Sequence, residues 1–222
     1  MTKHLDRELD ALREDLIRQF GTVEQMIHRA VRSLVRREVP LAQDVIASDA
    51  DVDQTEIRIE EECLKILALH QPVATDMRWL IAVVKVNGEL ERMADLACNI
   101  ARRAQSLDLF PLFPVPDEMT DMATAATEMV RQALDAFVDN DTGLATAVLK
   151  MDDEVDELNR IVIDQLLTLM KADGDHIDPA VHCFSASRHV ERIADLASNI
   201  AEDVIYCVDG DIVRHGPYPV TG

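Results

Sequence analysis

An eleven-residue phrase occurs twice in this chain, as ERMADLACNIA at 91–101 and as ERIADLASNIA at 191–201. The two copies agree at nine of eleven positions, far more than unrelated segments share. The chain therefore contains an internal repeat, and its two halves are expected to fold into the same kind of unit.

The repeat extends well beyond this phrase. Residues 26–35 align with 129–138, and residues 46–53 align with 149–156, both at an offset of 103. The phrase itself recurs at an offset of 100, so a net deletion of three residues separates the two parts of the alignment. Each half therefore carries the same elements in the same order.

Composition and periodicity predict that these elements are helices. The chain is 48% hydrophobic and 29% charged, with few Gly, Pro or aromatic residues, and it lacks the β-branched and aromatic runs of strands. Apolar residues recur every three to four positions from Leu5 to Leu34, as an amphipathic helix requires. Pro40 lies opposite Gly143 in the alignment, and each half is expected to turn there. The predicted helices are residues 5–34, 41–69 and 75–106 in the first half and 117–139, 143–172 and 178–208 in the second.

These helices predict an all-α fold of two repeated three-helix bundles. The segment LFPLFPVP contains three prolines, which cannot continue a helix, and it predicts a linker between the bundles. The predicted divisions are 1–108 for the first bundle, 109–116 for the linker, 117–210 for the second bundle and 211–222 for a C-terminal tail.

The net charge of the chain limits the kinds of partner that it can bind. Its formal net charge is −20, from 42 acidic residues against 22 Lys and Arg, so nucleic acids and anionic membrane surfaces are expected to repel it.

The opening MTKHLDRELD is too charged for a signal peptide, and the longest apolar run, 79–84, is too short to span a bilayer. The four cysteines show no CxxC spacing and are expected to be reduced thiols of a cytoplasmic protein.

The doubled phrase places polar side chains on one stripe of its helix. At 100° per residue, Glu91, Asp95 and Asn99 fall within an arc of about 80°, beside the apolar face. The same positions in the second copy are Glu191, Asp195 and Asn199.

The second helix of each half carries a similar pair of carboxylates one turn apart. These pairs are Asp49 and Asp53 in the first half and Asp152 and Asp156 in the second. Acidic side chains at this spacing repel one another, and near an apolar face they need a compensating charge. Clustered oxygen ligands suit hard divalent or ferric ions, so one interpretation is a metal site in each half. The other is that arginines or solvent compensate the acids.

Motifs for catalysis are not found in the sequence. There is no Glu-x-x-His pair of the di-iron carboxylate bundles, no Gly-rich phosphate loop and no nucleophile elbow. No catalytic residue and no organic cofactor are therefore predicted.

The doubled phrase, together with QPVATDMRW at 71–79 and the D-x-x-x-D element of the second helix, resembles the PhoU family of phosphate-specific transport system accessory proteins. The resemblance covers nearly the whole chain. It implies a non-catalytic cytoplasmic regulator that restrains a phosphate-sensing histidine kinase and the ATPase of a phosphate ABC transporter, and that meets the membrane only through these partners. It also implies multinuclear iron or zinc at the E-x-x-x-D motifs, which here comprise Glu91, Asp95, Glu191 and Asp195. A homodimer is a further expectation for a repeat-built bundle.

The chain departs from the family pattern after the first copy of the phrase. The family favours an acid there, as at Glu202, but the first copy has Arg102, whose charge lies on the polar stripe. We therefore expect the first site to bind metal more weakly than the second, or to be closed by this arginine. Two other functions stay open: a metal-binding or metal-buffering protein, and a metal-free helical adaptor. Trp79 is a candidate partner contact if it is exposed, although core packing is the commoner fate of such a residue.

Overall fold

The computed structural model describes residues 3–210, and every regular element in that range is helical. The predicted all-α class is thus confirmed. The helices are α1 (Lys3–Arg36), α2 (Val39–Ala47), α3 (Asp49–His70), α4 (Ala74–Leu107), α5 (Glu118–Asp139), α6 (Thr142–Ala172) and α7 (Ile177–Asp209), with a 3₁₀ turn at Gly174–His176 before α7. None of these helices is long and apolar enough to cross a bilayer. The predicted tail at 211–222 lies outside the described residues.

The second helix of the first half, predicted as one element, is divided at Ser48 into α2 and α3. The backbone N–H of Ser48 contacts the carbonyl oxygens of both Asp44 and Val45, each at 3.1 Å. Its Oγ also donates to the Asp44 carbonyl oxygen at 2.9 Å. These contacts tighten one turn and interrupt the regular ladder of helix hydrogen bonds. The corresponding helix of the second half, α6, is continuous.

The turns between the first and second helices fall three residues earlier than predicted. Pro40 and Gly143 both lie in the first helical turn, where a missing N–H or a missing side chain costs little. The chain reverses instead at Arg37 and Asn140, which adopt left-handed backbone conformations with φ of 56° and 53°. These two residues are equivalent at the offset of 103, so both halves end their first helix with the same left-handed backbone conformation.

The segment between the halves is packed against both of them. The Arg37 guanidinium donates to the carbonyl oxygen of Leu107 and, at 2.6 Å, to that of Phe113. The Phe113 side chain is buried, and its ring lies edge-on to His176 with the centroids 5.5 Å apart. The end of α1 therefore holds the proline-containing segment in place.

The two bundles pack through their longest helices. In the first half α1, α3 and α4 pack together, in the second half α5, α6 and α7 do so, and α4 meets α7 while α1 meets α5. Lys85 Nζ lies 2.8 Å from Asp203 Oδ1, and the rings of Phe110 and His182 lie 6.3 Å apart. Rising residue numbers in α4 thus pair with falling numbers in α7, so the two helices are antiparallel. A single hydrophobic core extends through both halves.

This antiparallel pairing relates the two halves by an approximate two-fold axis. Moving nine residues forward from Lys85 and nine back from Asp203 brings Ala94 level with Ala194. These two residues are also equivalent in the 100-residue repeat. The axis therefore passes between α4 and α7 at the middle of the doubled phrase, perpendicular to both helices.

Trp79 contributes to the contact between the halves. Its side chain is partly buried, and its ring stacks on Phe137 with the centroids 6.4 Å apart. The Arg13 guanidinium lies 5.5 Å from the centroid of the Trp79 ring. The interpretation of Trp79 as an exposed partner contact is therefore wrong, and its packing role is confirmed.

All four cysteines are free thiols, as predicted. Burial raises the pKa of Cys63, of Cys98 and of Cys183 to about 12. These three side chains therefore stay protonated at neutral pH and pack as small apolar groups.

Candidate carboxylate metal centres

The first cluster lies where α3 packs against α4. Asn87 Nδ2 donates to the Glu56 carbonyl oxygen at 2.9 Å, and Cys98 Sγ lies 3.7 Å from the Val45 carbonyl oxygen. These contacts fix the register of the first-half helices against one another. The candidate ligands that interact here are Asp49 and Asp53 from α3 and Glu91 and Asp95 from α4, and Asn99 lies one turn after Asp95 on α4.

The carboxylates of the first cluster interact across the two helices. Burial, and then the charges of Asp49 and Asp53, raise the pKa of Asp95, while Arg102 opposes the shift. Burial, followed by Asp95, also raises the pKa of Glu91, with smaller contributions from the α3 acids. The negative charge at this site is therefore only partly compensated by the protein.

Glu56 extends the first cluster and was not among the predicted ligands. Burial, Glu60 and Asp53 together raise its pKa, in that order of importance, and Glu56 in turn raises the pKa of Glu91. The signal in the sequence was its spacing of seven residues from Asp49, which is two helical turns on the same face.

The second cluster repeats this arrangement between α6 and α7. Burial and the carboxylates of Asp195 and Asp156 raise the pKa of Asp152 to about 6. Burial and then Asp156 raise the pKa of Asp195, opposed by Arg188 and Arg192. The other predicted ligands, Glu191 and Asn199, lie on the same stripe of α7 and are partly buried.

Asn159 joins the second cluster at the position equivalent to Glu56. The side chain is 5% exposed, and its Oδ1 atom has no hydrogen-bond partner among the described residues. Together with Asp156 and Glu191 it lines an open cavity of about 400 Å³. A buried carbonyl oxygen without a donor is a further potential ligand for a cation.

Each cluster is contacted by one arginine, and the two arginines lie at opposite ends of the stripe. In the first half, Arg102 Nη1 donates to Asn99 Oδ1 at 2.9 Å. In the second half, Arg188 forms an ion pair with Glu191. The first half has Gly88 where the second has Arg188, and a side chain at Gly88 would extend into open space. Sequence reasoning missed Arg188 because it precedes the doubled phrase, although its spacing of three residues from Glu191 was a signal.

The donor chemistry of both clusters suits a hard cation, but the ligands are not preassembled. Among residues 3–210, no group of three or more His, Cys, Asp or Glu side chains is arranged so that it could hold a metal ion. Carboxylate and amide oxygens with raised carboxyl pKa values still fit a cation chemically. Binding would require these side chains to turn toward one another and Arg102 or Arg188 to move aside.

The raised pKa of Asp152 predicts how stability changes with pH. Because the folded pKa of about 6 exceeds the ordinary value of 3.8, the folded state binds this proton more tightly than the unfolded state does. The metal-free protein should therefore gain stability as the pH falls from about 7.5 to 5, and lose that gain as the pH rises through 6. We expect Asp152→Asn to raise the free energy of unfolding by about 1 kcal/mol at pH 7.5, because the site is partly solvent-screened.

Urea unfolding in the presence of a chelator measures this change. Glu154→Gln is the matched control, since this carboxylate is exposed on the same helix and does not contribute to the pKa shift of Asp152. The gain from Asp152→Asn should shrink at pH 5. A loss of stability in Asp152→Asn at pH 7.5 would contradict the electrostatic origin of the shift.

The chain is similar to known proteins over almost its whole length. The family model described as the PhoU domain matches it twice, over residues 16–104 and 119–204. A relative from Aquifex aeolicus, named "Phosphate-specific transport system accessory protein PhoU homolog", is 38% identical over 211 residues, covering 95% of this chain and 96% of the relative. A relative of the same name from Pseudomonas aeruginosa is 38% identical over 216 residues, covering 97% of this chain and 89% of the relative.

Two crystal structures have the same fold. PhoU from Pseudomonas aeruginosa superposes with a TM-score of 0.87 at 37% identity, covering 93% of this chain and 99% of that one. The phosphate transport system regulatory protein PhoU from Streptococcus pneumoniae superposes with a TM-score of 0.87 at 25% identity, covering 94% of this chain and 99% of that one. The predicted architecture of two repeated helical units is thus confirmed.

Proposed function

This chain belongs to the PhoU family, and from that premise we propose that it is an accessory protein of phosphate-specific transport that restrains a phosphate-sensing histidine kinase and the phosphate ABC transporter when phosphate is plentiful. The observation that carries the proposal is the full-length similarity to relatives named as accessory proteins of that transport system. The doubled E-x-x-x-D phrase, which lies at the two-fold axis of the fold, adds to this support.

The proposed role is non-catalytic and cytoplasmic, and it is exerted through protein contacts. The net charge of −20 disfavours direct binding to anionic lipid or nucleic acid. The protein therefore reaches the membrane through the kinase and the ATPase of the transporter. Homodimerisation stays a prediction, which light scattering of the purified protein can test.

Deleting the gene in its native host tests the regulatory role. In phosphate-rich medium, the deletion strain should express a phosphate-starvation reporter at a high level and take up phosphate faster than its parent. A plasmid copy of the wild-type gene should restore both properties. Unchanged reporter expression and unchanged uptake in the deletion strain would refute the proposed function.

A second proposed property is the binding of iron or zinc at the two clusters. What favours it is the grouping of carboxylates from two helices in each half, where burial, and then the neighbouring carboxylates, raise the pKa of Asp95 and of Asp152. Glu91 and Asp95 with the α3 aspartates would hold metal in the first half. Glu191 and Asp195 with Asp152 and Asp156 would hold it in the second. A bound cation would neutralise this charge and tie the second helix of each half to the third.

Exchanging the arginines tests whether they limit this binding. Arg102→Glu recreates the acid of the second half, and Arg188→Gly recreates the residue of the first half. Each variant should bind up to about one more equivalent of metal than its parent, because removing a guanidinium from a carboxylate cluster favours a competing cation. Elemental analysis after dialysis against zinc measures the stoichiometry. An unchanged value in both variants would show that the arginines do not close the sites.

A further inference from the structure

Large apolar side chains are exposed at equivalent positions of the two repeats. Met77 and Ile81 on α4 correspond to Ile177 and Val181 on α7, at the same offset of 100 as the doubled phrase. All four are between 44% and 51% exposed. We call Met77 and Ile81 the first apolar stripe, and Ile177 and Val181 the second apolar stripe. Their equivalence in the repeat and their position on the two helices that carry the doubled phrase set them apart from scattered surface hydrophobes.

Each apolar stripe lies on the same line of its helix as the candidate metal ligands. Met77 and Asp95 are 18 residues apart, which is about five full turns, and the same spacing separates Ile81 from Asn99. The corresponding pairs on α7 are Ile177 with Asp195 and Val181 with Asn199. On each helix, the apolar stripe and the candidate metal ligands therefore lie along one line of the same face.

Both stripes face the same side of the molecule. The approximate two-fold axis lies between α4 and α7 and is perpendicular to the plane that contains both helices. Rotation about this axis therefore superposes the exposed side of α4 on the exposed side of α7. Helices α1 and α5 pack against α4 and α7 respectively and against each other, which covers the opposite side. The layer formed by α4 and α7 thus presents one exposed face with two-fold symmetry. The carboxylates lie near its centre and an apolar stripe lies toward each end.

The spacing of the two apolar stripes follows from helix geometry. Ile81 and Val181 each lie 13 residues before the level of the axis, at Ala94 and Ala194. At a rise of 1.5 Å per residue they are about 40 Å apart along the helix direction. One small ligand or one short peptide cannot contact both.

We infer that this face of the metal-free protein docks a two-fold symmetric protein homodimer, whose two protomers each place an apolar side chain on one stripe and whose centre presents basic groups to the carboxylates. Charge complementarity selects this occupant, because the centre of the face is acidic in both halves. A second copy of this chain would oppose one acidic centre with another, and a phosphate backbone would be repelled. A symmetric partner engages both stripes at once and gains affinity from bivalency.

The inference rests on the proposed function, which supplies a probe: the dimeric cytoplasmic part of the phosphate-sensing histidine kinase from the same organism. Isothermal titration calorimetry should give one chain per kinase dimer. Met77→Asp/Ile81→Asp and Ile177→Asp/Val181→Asp should each weaken binding by about 100-fold, because either one converts bivalent into monovalent attachment. The matched control is Ile57→Asp/Leu69→Asp, which alters two exposed residues of α3 that have no large apolar counterpart in the second half and should leave the affinity unchanged.

The outcomes separate this inference from the function on which it rests. Circular dichroism and thermal melting verify that the variants are folded. Wild-type binding that both stripe variants leave unaltered would overturn the docking face while leaving the regulatory role intact. Binding of two chains per kinase dimer would overturn the symmetric arrangement. If the wild-type protein does not bind the kinase at all, both the docking face and the kinase part of the proposed function fall.

Discussion

Lys85→Met should lower the free energy of unfolding by about 3 kcal/mol, because it breaks an ion pair between the two halves whose carboxylate is buried. Lys85 Nζ lies 2.8 Å from Asp203 Oδ1, and the Asp203 side chain is only 4% exposed. Removing the ammonium group takes this cation away from a buried carboxylate, and breaking a well-buried ion pair on one side costs about 3–5 kcal/mol. Because Lys85 itself is partly exposed, we expect the lower end of that range.

Chemical denaturation of Lys85→Met beside Lys65→Met tests this expectation. Lys65 forms a surface ion pair with Glu62 within α3, so its replacement should leave the stability almost unchanged. Adding Asp203→Asn to Lys85→Met should recover at least half of the loss, because the amide carries no charge to bury. Equal effects of the Lys85 and Lys65 substitutions would show that the contact between the halves does not depend on this pair.

Asp95→Ala combined with Asp195→Ala should remove nearly all metal from protein purified without a histidine tag or chelator. The same variant should be slightly more stable than its parent when both are metal-free, because solvent screens these exposed carboxylates and keeps the gain small. Both pKa values are raised in the folded protein, so these carboxylates oppose folding at neutral pH until a cation neutralises them. A loss of binding together with a gain of stability would mark residues retained for a ligand rather than for the fold.

The matched control for this experiment is Asp51→Ala combined with Glu154→Ala. These two residues are equivalent at the offset of 103 and are exposed on α3 and α6. Elemental analysis and urea unfolding should find both metal content and stability unchanged in the control. If the parent protein binds neither iron nor zinc after addition of the metals, the arginines and solvent are sufficient partners for the acids.

The helices of this fold could be predicted because their signals are local. Apolar spacing in α1, Pro72 after α3 and the prolines after α4 mark elements within a few residues of their observed ends. The division at Ser48 could not be predicted, because serine is tolerated inside helices and the interruption arises from hydrogen bonds to two preceding carbonyl groups. The left-handed residues Arg37 and Asn140 were also missed. Proline and glycine are the usual signals of a turn, and both lay nearby.

The candidate site was predicted where one helix face suffices and was missed where helices meet. The stripe of Glu91, Asp95 and Asn99 follows from the helical period alone. The packing of α4 against α7 does not, because it depends on Lys85 and Asp203, which are 118 residues apart in the chain. The sequence also showed that Arg102 lies on the stripe, whereas only the structure showed which side chain it contacts.

The Lys85–Asp203 pair also governs which halves can assemble with each other. In the repeat, Asp203 is equivalent to Arg103, and Lys85 is equivalent to Ser185. If the first halves of two chains exchanged partners and paired through α4, Lys85 of each would oppose Arg103 of the other, and like charges would meet twice. If two second halves paired through α7, each Asp203 would oppose Ser185 in place of Lys85. The sequence divergence of the two halves thus penalises pairing between like halves of two molecules, and it leaves each first half best matched to a second half.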